Sequence, residues 1–376
     1  MSEFIRPRDL LASDADVEAV LDCLRSGWLT MGPRTQEFDR ALAEWLGVSH
    51  AVTVSSATAA LHLALLAVGV EPGDHVVIPA VAPTAVASAV SLIGAQVSRA
   101  DVGGATDLLV DVESVMALVG QKTKAAVVSH VLGLVADVES LVRACSDRGV
   151  VVIEDATEAL GAKKGGRCAG TTGQAGAFSL GPGSQLVVGD GGVVASSQVE
   201  IADRARLLRS HAMTSVTWDR HRGYAETYDV LEIGFNYRLD EVRSALGLSR
   251  LATLHEGLER RKRLASALIP LLERSESCLL PTGLSDAGWN PGRGIPVLVE
   301  PGAARCDLVA RLEPAGLELE PYLDPMSLEA LCQLAPGPER ARDLLRRLYV
   351  IPFRGRALTE PETLASLIGE IVNGEP

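Results

Sequence analysis

The chain has 376 residues, 47% of them hydrophobic and 22% charged, with a formal net charge of −13. That length can bury a large core and build two domains. The acidic balance argues against nucleic acid or an anionic membrane as partner, since both need a basic face, and no apolar run approaches the roughly 20 residues of a membrane span. The opening stretch MSEFIRPRDLLASD lacks the apolar core of a signal peptide, so the cytoplasm is the expected compartment. Six scattered cysteines without a C-x-x-C pair read as reduced packing residues, and no metal site is expected.

In chain order, residues 15–46 predict two amphipathic helices around the turn SGWLTMGPRT. Val17, Val20, Leu21 and Leu24 share a face of the first; Phe38, Leu42 and Trp45 share a face of the second. AVTVSS reads as a strand, and ATAALHLALLAVGV as the helix that follows it. VVIPAV, AQVSRADV, KAAVVSHV and VVVIEDA repeat apolar strands between helical stretches. Such alternation predicts an α/β domain with a mostly parallel sheet. The helix before VVVIEDA, DVESLVRACSDRG, has an acidic start and a glycine stop. FSLGPGSQLVVGDGG, residues 178–192, reads as a turn-rich segment running into a glycine hairpin. SQVEIADRARLLRSHA predicts a helix capped by Ser197. Residues 214–234 lack a period and read as a surface loop or flap. LDEVRSALGLSRLATLHEGLERRKRLASALIPLLE predicts a long helical stretch, bent or broken near its middle, leading into a second domain. Strands are expected around 277–300 and 317–323, and helices at 303–313, 338–348 and 359–373. The predicted organisation is a large domain over 1–250 and a small α+β domain over 251–376.

Several blocks resemble, in order, the DegT/StrS family of sugar aminotransferases. WLTMGPRTQEFDRALAEWLGVSHAVTVSSATAALHLAL is similar to the family's W-L-T-x-G-P…E-F-E…L-G-V…N-S-G-T-A-A-L-H-L-A-L. IEDATEALGA is similar to E-D-A-A-[QH]-A-x-G, and FNYRLDEVRSALGLSRL to Y-N-Y-R-[ML]-[DN]…A-A-x-G-L-x-Q-L. The resemblance covers most of residues 15–255. It implies the fold-type I pyridoxal-phosphate (PLP) transferase fold, aspartate-aminotransferase-like, and a nucleotide-linked keto-sugar or aminocyclitol as substrate.

It also implies site residues. Ala57 and Thr58 stand at a strand-to-helix junction, where backbone N–H groups and the helix dipole face an anion; by resemblance that anion is the cofactor phosphate, with a plain helix cap as the alternative. Ser179 corresponds to a phosphate-binding hydroxyl. Asp155 ends an apolar strand and corresponds to the partner of the pyridine nitrogen, because a buried carboxylate needs one. Glu158 takes the place of the family's glutamine or histidine near the ring. Asn236 matches an asparagine that reaches the phosphate of the neighbouring subunit, which implies a homodimer with shared sites. His130 matches a histidine of the V-H-x-x-G block and is a catalytic candidate beside Asp155 and Ser184, with a satisfied structural role as the alternative. Asp190 matches an acidic turn position. Tyr237 and Arg238 are candidates for a dimer interface or substrate. Trp218, Arg220, His221, Arg222 and Tyr224 form an Arg/aromatic loop suited to a diphosphate and base, or a solvated charged loop.

Ser184 is the main departure. The family pattern F-S-x-x-x-x-K places there the lysine that forms the Schiff base, and a serine hydroxyl without an adjacent base cannot replace an amine. Some relatives that use pyridoxamine phosphate (PMP) for sugar deoxygenation carry histidine there, and residues 178–192 contain none. Pro83 stands where an aromatic residue stacks on the ring, SSAT replaces N-S-G-T, and Leu132 and Leu134 make the block after His130 more apolar. Three readings follow. One is a repurposed pocket in amino- or deoxysugar or secondary-metabolite biosynthesis, with PLP or PMP held noncovalently or with no cofactor. Another is a pseudoenzyme that supports a lysine-bearing paralogue in a heterodimer. The third is a conventional PLP-dependent nucleotide-sugar aminotransferase.

Overall fold

A computed structural model describes residues 12–215, 218, 221–223, 227–274, 276, 278–300, 319–323 and 337–353. The helices expected at 303–313 and 359–373 lie outside the described residues, as do Arg220, Tyr224, Cys306 and Cys332. No helix of the described residues is long and apolar enough to cross a membrane. The four described cysteines are buried free thiols.

The apolar runs seen in the sequence become one seven-stranded sheet. Its strands are β1 (His50–Val54), β2 (His75–Pro79), β3 (Gln96–Ala100), β4 (Thr123–Ser129), β5 (Val151–Asp155), β8 (Ala175–Ser179) and β9 (Gly192–Ser196), in the order β1-β9-β8-β5-β4-β2-β3. A two-residue hairpin, β6 (Lys163–Lys164) with β7 (Arg167–Cys168), lies outside this sheet. β8, β5, β4, β2 and β3 pair in parallel, and β9 runs antiparallel to both β1 and β8. The expected mostly parallel sheet is present. Nearly continuous apolar strands result because helices cover both faces.

Helices α1 (Asp14–Ser26), α2 (Pro33–Leu46), α3 (Ala57–Ala67), α4 (Thr84–Ile93), α5 (Val112–Leu118), α6 (Val138–Ser146) and α7 (Val199–Arg209) alternate with the strands. α1 starts in a capping box between Ser13 and Asp16 and stops at Gly27 in the left-handed region. Its predicted apolar face does not enter the core: Val17, Leu21 and Leu24 are 46%, 37% and 50% exposed, whereas Cys23 and Asp16 are buried. On α2, Phe38 and Leu42 are buried as expected. α7 is not capped by Ser197. Its N-cap is Gln198, and the Ser196 hydroxyl accepts from the Gln198 N–H while donating to the Gln174 carbonyl.

The long stretch is one unbroken helix, α8 (Glu241–Leu272). No break interrupts it near its middle, where the stretch was expected to bend or break. Gly247 lies on the ring of the fully buried Phe38, and a Cβ there would overlap that ring. Gly247→Ala is therefore expected to destabilise by about 1–3 kcal/mol despite alanine's better helix propensity, checked by urea denaturation. The expected boundary at residue 250 falls inside α8.

A second, antiparallel sheet has the order β10 (Cys278–Leu279), β11 (Gly294–Val299), β13 (Leu348–Pro352), β12 (Glu320–Pro321), with α9 (Glu339–Arg347) leading straight into β13. β13 has no counterpart among the expected elements, because LLRRLYVIP carries the helical apolar pattern to its end. The core of this sheet includes Leu264 and Leu268 of α8, and it is continuous with Ala80, Val81, Val131 and Leu132 of the large sheet's loops. The small sheet is thus seated on the carboxyl ends of β2 and β4.

Candidate functional site at the carboxyl edge of the sheet

In a parallel sheet flanked by helices, ligands collect at the carboxyl ends of the strands. β5 ends at Asp155, β4 at Ser129, β8 at Ser179, and β1 leads into Ser56 and α3. Ladder register places Ser129 opposite Asp155. The Ser129 hydroxyl donates to Asp155 Oδ2 at 2.8 Å, and Thr157 donates to Oδ1 from its N–H at 3.2 Å and its hydroxyl at 2.6 Å. Burial raises the Asp155 carboxyl above its ordinary value, and the Thr157 and Ser129 hydrogen bonds offset this only in part. Asp155 is a buried acid held by neutral donors.

One turn on, Glu158 Oε2 accepts from the Leu132 N–H at 3.1 Å and from the Tyr322 hydroxyl at 3.0 Å. Burial raises its carboxyl too, against the pull of Arg293. Leu132 adopts a left-handed conformation (φ 51°, ψ 33°), uncommon for a branched residue, within the short 3-10 turn Val131–Gly133. The turn is locked on both sides: the Leu132 carbonyl accepts from Trp289 Nε1 at 3.0 Å, and Gly133 meets the Asn290 carbonyl so closely that no Cβ fits. Arg293 Nη2 donates to the Tyr322 carbonyl at 2.9 Å, and its guanidinium lies 5.4 Å from the centre of the Tyr322 ring. Burial, followed by the charge of Glu158, drives the Tyr322 phenol well above its ordinary value.

The other flank of Asp155 is built for an anion. Ser56 caps α3 by accepting from the Ala59 N–H at 3.1 Å, which leaves the N–H groups of Ala57 and Thr58 without a described protein partner. Gly192 joins this junction to Ser179: it pairs with Val54 on one side and Ser179 on the other, and a Cβ there would strike the Ser56 carbonyl. Ser179 Oγ accepts from the Gly181 N–H at 3.1 Å. Ala57, Thr58 and Ser179 are thus brought together. Asn236 is exposed, and its neighbour Tyr237 accepts from the Ser55 N–H at 2.8 Å within the same chain.

Ser184 is 3% exposed, and its hydroxyl donates to the Leu186 carbonyl at 2.7 Å. Gln185 fixes this loop over the end of β5 by donating to the Glu158 carbonyl at 2.9 Å. The five lysines lie elsewhere. Lys163 and Lys164 are exposed on the β6–β7 hairpin, and Lys262 on α8 donates to the Ala287 carbonyl. Lys124 precedes Ser129 by five residues on β4, roughly 16 Å back toward the amino edge, and Lys122 lies before that strand.

His130 is spent on structure. Its Nε2 meets Glu154 Oε2 at 2.8 Å and its Nδ1 accepts from the Ala136 N–H at 3.2 Å, so the proton sits on Nε2. Glu154, on the opposite face of β5 from Asp155, also takes the N–H groups of Gly170, Thr172 and Gly173. Asp190 is exposed; its carbonyl accepts from Arg243. Tyr237 reaches His62 at 3.2 Å, and Arg238 bridges to Val54. Of the Arg/aromatic loop, Trp218 and His221 pack on Trp28 at 4.8 and 4.7 Å, with Arg222 over Trp218.

Sequence reasoning missed Ser129, Thr157, Arg293 and Tyr322. Thr157 had a signal, an Asp-x-Thr spacing that closes a local side-chain turn. The other three meet the site only through ladder register or the docking of the second sheet.

This edge, with a buried acid between an anion-ready helix start and a second sheet, belongs to the fold-type I PLP aminotransferases. The solved structure of TlmJ, an aminotransferase from Streptoalloteichus hindustanus, is similar at a TM-score of 0.83 and 28% identity, over 99% of each chain. The model of the DegT/DnrJ/EryC1/StrS aminotransferase family matches residues 12–362, and the chain belongs to that family. Its members are pyridoxal- or pyridoxamine-phosphate enzymes. The UDP-4-amino-4-deoxy-L-arabinose–oxoglutarate aminotransferase of Shewanella sediminis is 33% identical over 67% of this chain, and the spore coat polysaccharide biosynthesis protein SpsC of Bacillus subtilis 34% over 68%. These matches span 65% and 66% of the relatives' own lengths.

Proposed function

We propose that this chain lacks the Schiff-base lysine of its family and does not perform ordinary PLP transamination, its pocket serving amino- or deoxysugar or secondary-metabolite biosynthesis on a nucleotide-linked keto-sugar. The observation that carries this reading is Ser184: the residue at the lysine position is buried, and its hydroxyl proton is committed to the Leu186 carbonyl. The pocket nevertheless fits the family's cofactor held noncovalently, because Ser179 and the Ala57 and Thr58 N–H groups, which have no partner among the described residues, suit a phosphate. Asp155 would face the ring nitrogen, and a cation arriving there would favour its ionised form. When bound, pyridoxal or pyridoxamine phosphate supplies an electron sink. The exposed Asn236 supports a site completed by a second copy of the chain, a homodimer.

The reading as a pseudoenzyme subunit beside a lysine-bearing paralogue is favoured by Pro83, which caps α4 where the family stacks an aromatic ring and removes that contact.

Borohydride reduction of the purified chain with PLP, followed by peptide mass analysis, tests the proposal. The wild type is expected to yield no pyridoxyl adduct, and an adduct on any of its five lysines would overturn the reading. Ser184→Lys is expected to acquire one on the introduced side chain. Gain of amino transfer to a nucleotide keto-sugar by that variant alone supports the repurposed pocket. Activity that requires mixing wild-type chain with a paralogue supports the subunit reading instead.

A further inference from the structure

A cavity of about 480 Å³ lies between the start of α1, the middle of α8 and the loop residues Gln185, Leu186 and Val187. It is separate from the carboxyl edge of the sheet, since none of Ala57, Thr58, Asp155, Glu158 and Ser179 lines it. Gln185 stands between the two places: it lines this cavity, and its amide donates to the Glu158 carbonyl. α8 turns one face to the cavity. Arg250, Thr253, Gly257, Arg260 and Arg261 recur there at three- and four-residue spacing, the repeat of a single helix stripe. Three guanidinium groups line the space against one carboxyl, Asp16, among the described residues. That balance reverses the net charge of −13 carried by the whole chain.

Two of the arginines are held in place by the protein itself. Arg250 donates from Nε to Asp16 Oδ2 at 3.2 Å and from Nη1 to the Val187 carbonyl at 2.8 Å. Arg261 is 7% exposed and donates from Nη1 to the Gly292 carbonyl at 2.6 Å. Guanidinium groups fixed in this way lose little freedom when an anion arrives. Between them stands Gly257. A glycine inside a helix costs about 1 kcal/mol relative to alanine. The Phe38 ring explains this at Gly247, but a Cβ at Gly257 would meet nothing within 4 Å. No packing demand accounts for glycine there, and its bare backbone leaves room between the arginines.

We propose that this cavity binds a small molecule carrying a chain of two or more phosphate groups, laid along α8 across Gly257. Guanidinium groups match phosphate oxygens in paired, charge-assisted hydrogen bonds. Arg250 and Arg261 lie about 16 Å apart along the helix axis, too far for one phosphate or carboxylate to bridge. The volume is that of a small-molecule site. The phosphate chain has two sources of equal chemistry, an inorganic polyphosphate or the tail of a nucleotide. Bound there, it rests against Val187, the neighbour of the Leu186 carbonyl that takes the Ser184 proton. Nothing in this site depends on the chemistry at Ser184, so the borohydride outcome above bears on the function alone.

Isothermal titration of the full chain with inorganic triphosphate and with ADP, against orthophosphate, tests it. Saturable binding of triphosphate or ADP, tighter than orthophosphate by about tenfold or more, is the expected result. ADP as the tighter probe assigns the nucleotide source; triphosphate of equal or greater affinity assigns the inorganic chain. Arg260→Gln is expected to weaken binding by about tenfold, the worth of one charge-assisted hydrogen bond. Gly257→Glu places a carboxylate in the open space between the arginines and is expected to abolish binding. It keeps all three arginines, so it serves alone if Arg260→Gln does not fold. Ser179→Ala, at the other anion site, is expected to leave the affinity unchanged. Absence of saturable binding by both probes overturns the proposal, as does orthophosphate binding equally well. So does unchanged affinity in Gly257→Glu, or loss of binding in Ser179→Ala, which would move the anion to the start of α3.

Discussion

Replacing Glu241 by alanine is expected to lower the unfolding free energy by about 4 kcal/mol, read from urea denaturation midpoints at constant slope. The side chain is 0% exposed at the first position of α8, and it serves another helix. Oε1 accepts from the Gly32 N–H at 2.9 Å, the Thr35 N–H at 2.8 Å and the Thr35 hydroxyl at 2.8 Å, and Oε2 accepts from the Arg34 N–H at 2.9 Å. Those backbone donors are the orphan N–H groups of the start of α2, which has no side-chain cap of its own. A carboxylate there meets the positive end of the helix dipole as well. Alanine leaves four donors facing a buried void. Glu241→Gln is expected to lose less, because its carbonyl oxygen still accepts from part of the set. Equal loss in both variants would mean that charge, rather than hydrogen-bond accounting, governs this junction.

Glu154→Ala is the second large effect, expected at about 3–5 kcal/mol by the same measurement, because it strips a buried histidine and three backbone N–H groups of one shared acceptor. Its pH dependence separates it from a simple cavity. Burial alone would raise this carboxyl, but the hydrogen bonds from His130 and from the Gly173 and Gly170 N–H groups outweigh it and hold it below its ordinary value of 4.5. A group depressed in the folded state contributes stability that is complete above its unfolded value and lost as pH falls through the folded one. The gap between wild type and Glu154→Gln is therefore expected to be full above about pH 4.5 and to close in more acidic buffer. Asp155 and Glu158, raised by burial, carry the opposite sign: their contribution is present in acid and falls as pH rises through their folded values. A gap that stays constant from pH 6 down to about pH 3 would sink this account of Glu154.

What the amino-acid order exposes is local chemistry. Asp155 was legible because an acid at the end of a valine-rich strand has to be explained, and the α3 start because Ser56 caps a helix directly after a strand. Ser129 was not, because only ladder register sets it opposite Asp155. Arg293 and Tyr322 reach Glu158 across 135 and more residues through the seating of the second sheet, which no spacing announces. Glu241 reads in LDEVRS as an ordinary acidic first turn, and its true partner begins with Gly32. The α1 face failed differently: Val17, Leu21 and Leu24 have the right period but face outward, since periodicity identifies a stripe and not what covers it. Ser197 lost the cap of α7 to a chain that enters helix one residue later. The break expected near the middle of α8 does not occur, because helix propensity is local while contacts along the rod reach Asp16, Val187 and Gly292.

The single rod of α8 also sets the mechanics of the molecule. At 32 residues it is about 48 Å long. Glu241 pins one end to the start of α2, Arg250 ties the shaft to Asp16 and the Val187 carbonyl, Arg261 holds the Gly292 carbonyl, and Leu264 and Leu268 lie in the core under β11. A tilt of one degree about the Glu241 end sweeps the far end by about 0.8 Å, the width of a lost hydrogen bond. Arg293 and Tyr322 ride on that far end. A lesion at Gly32–Thr35 would thus act as a lever, unseating the Glu158 contacts at a distance without touching any residue of the pocket.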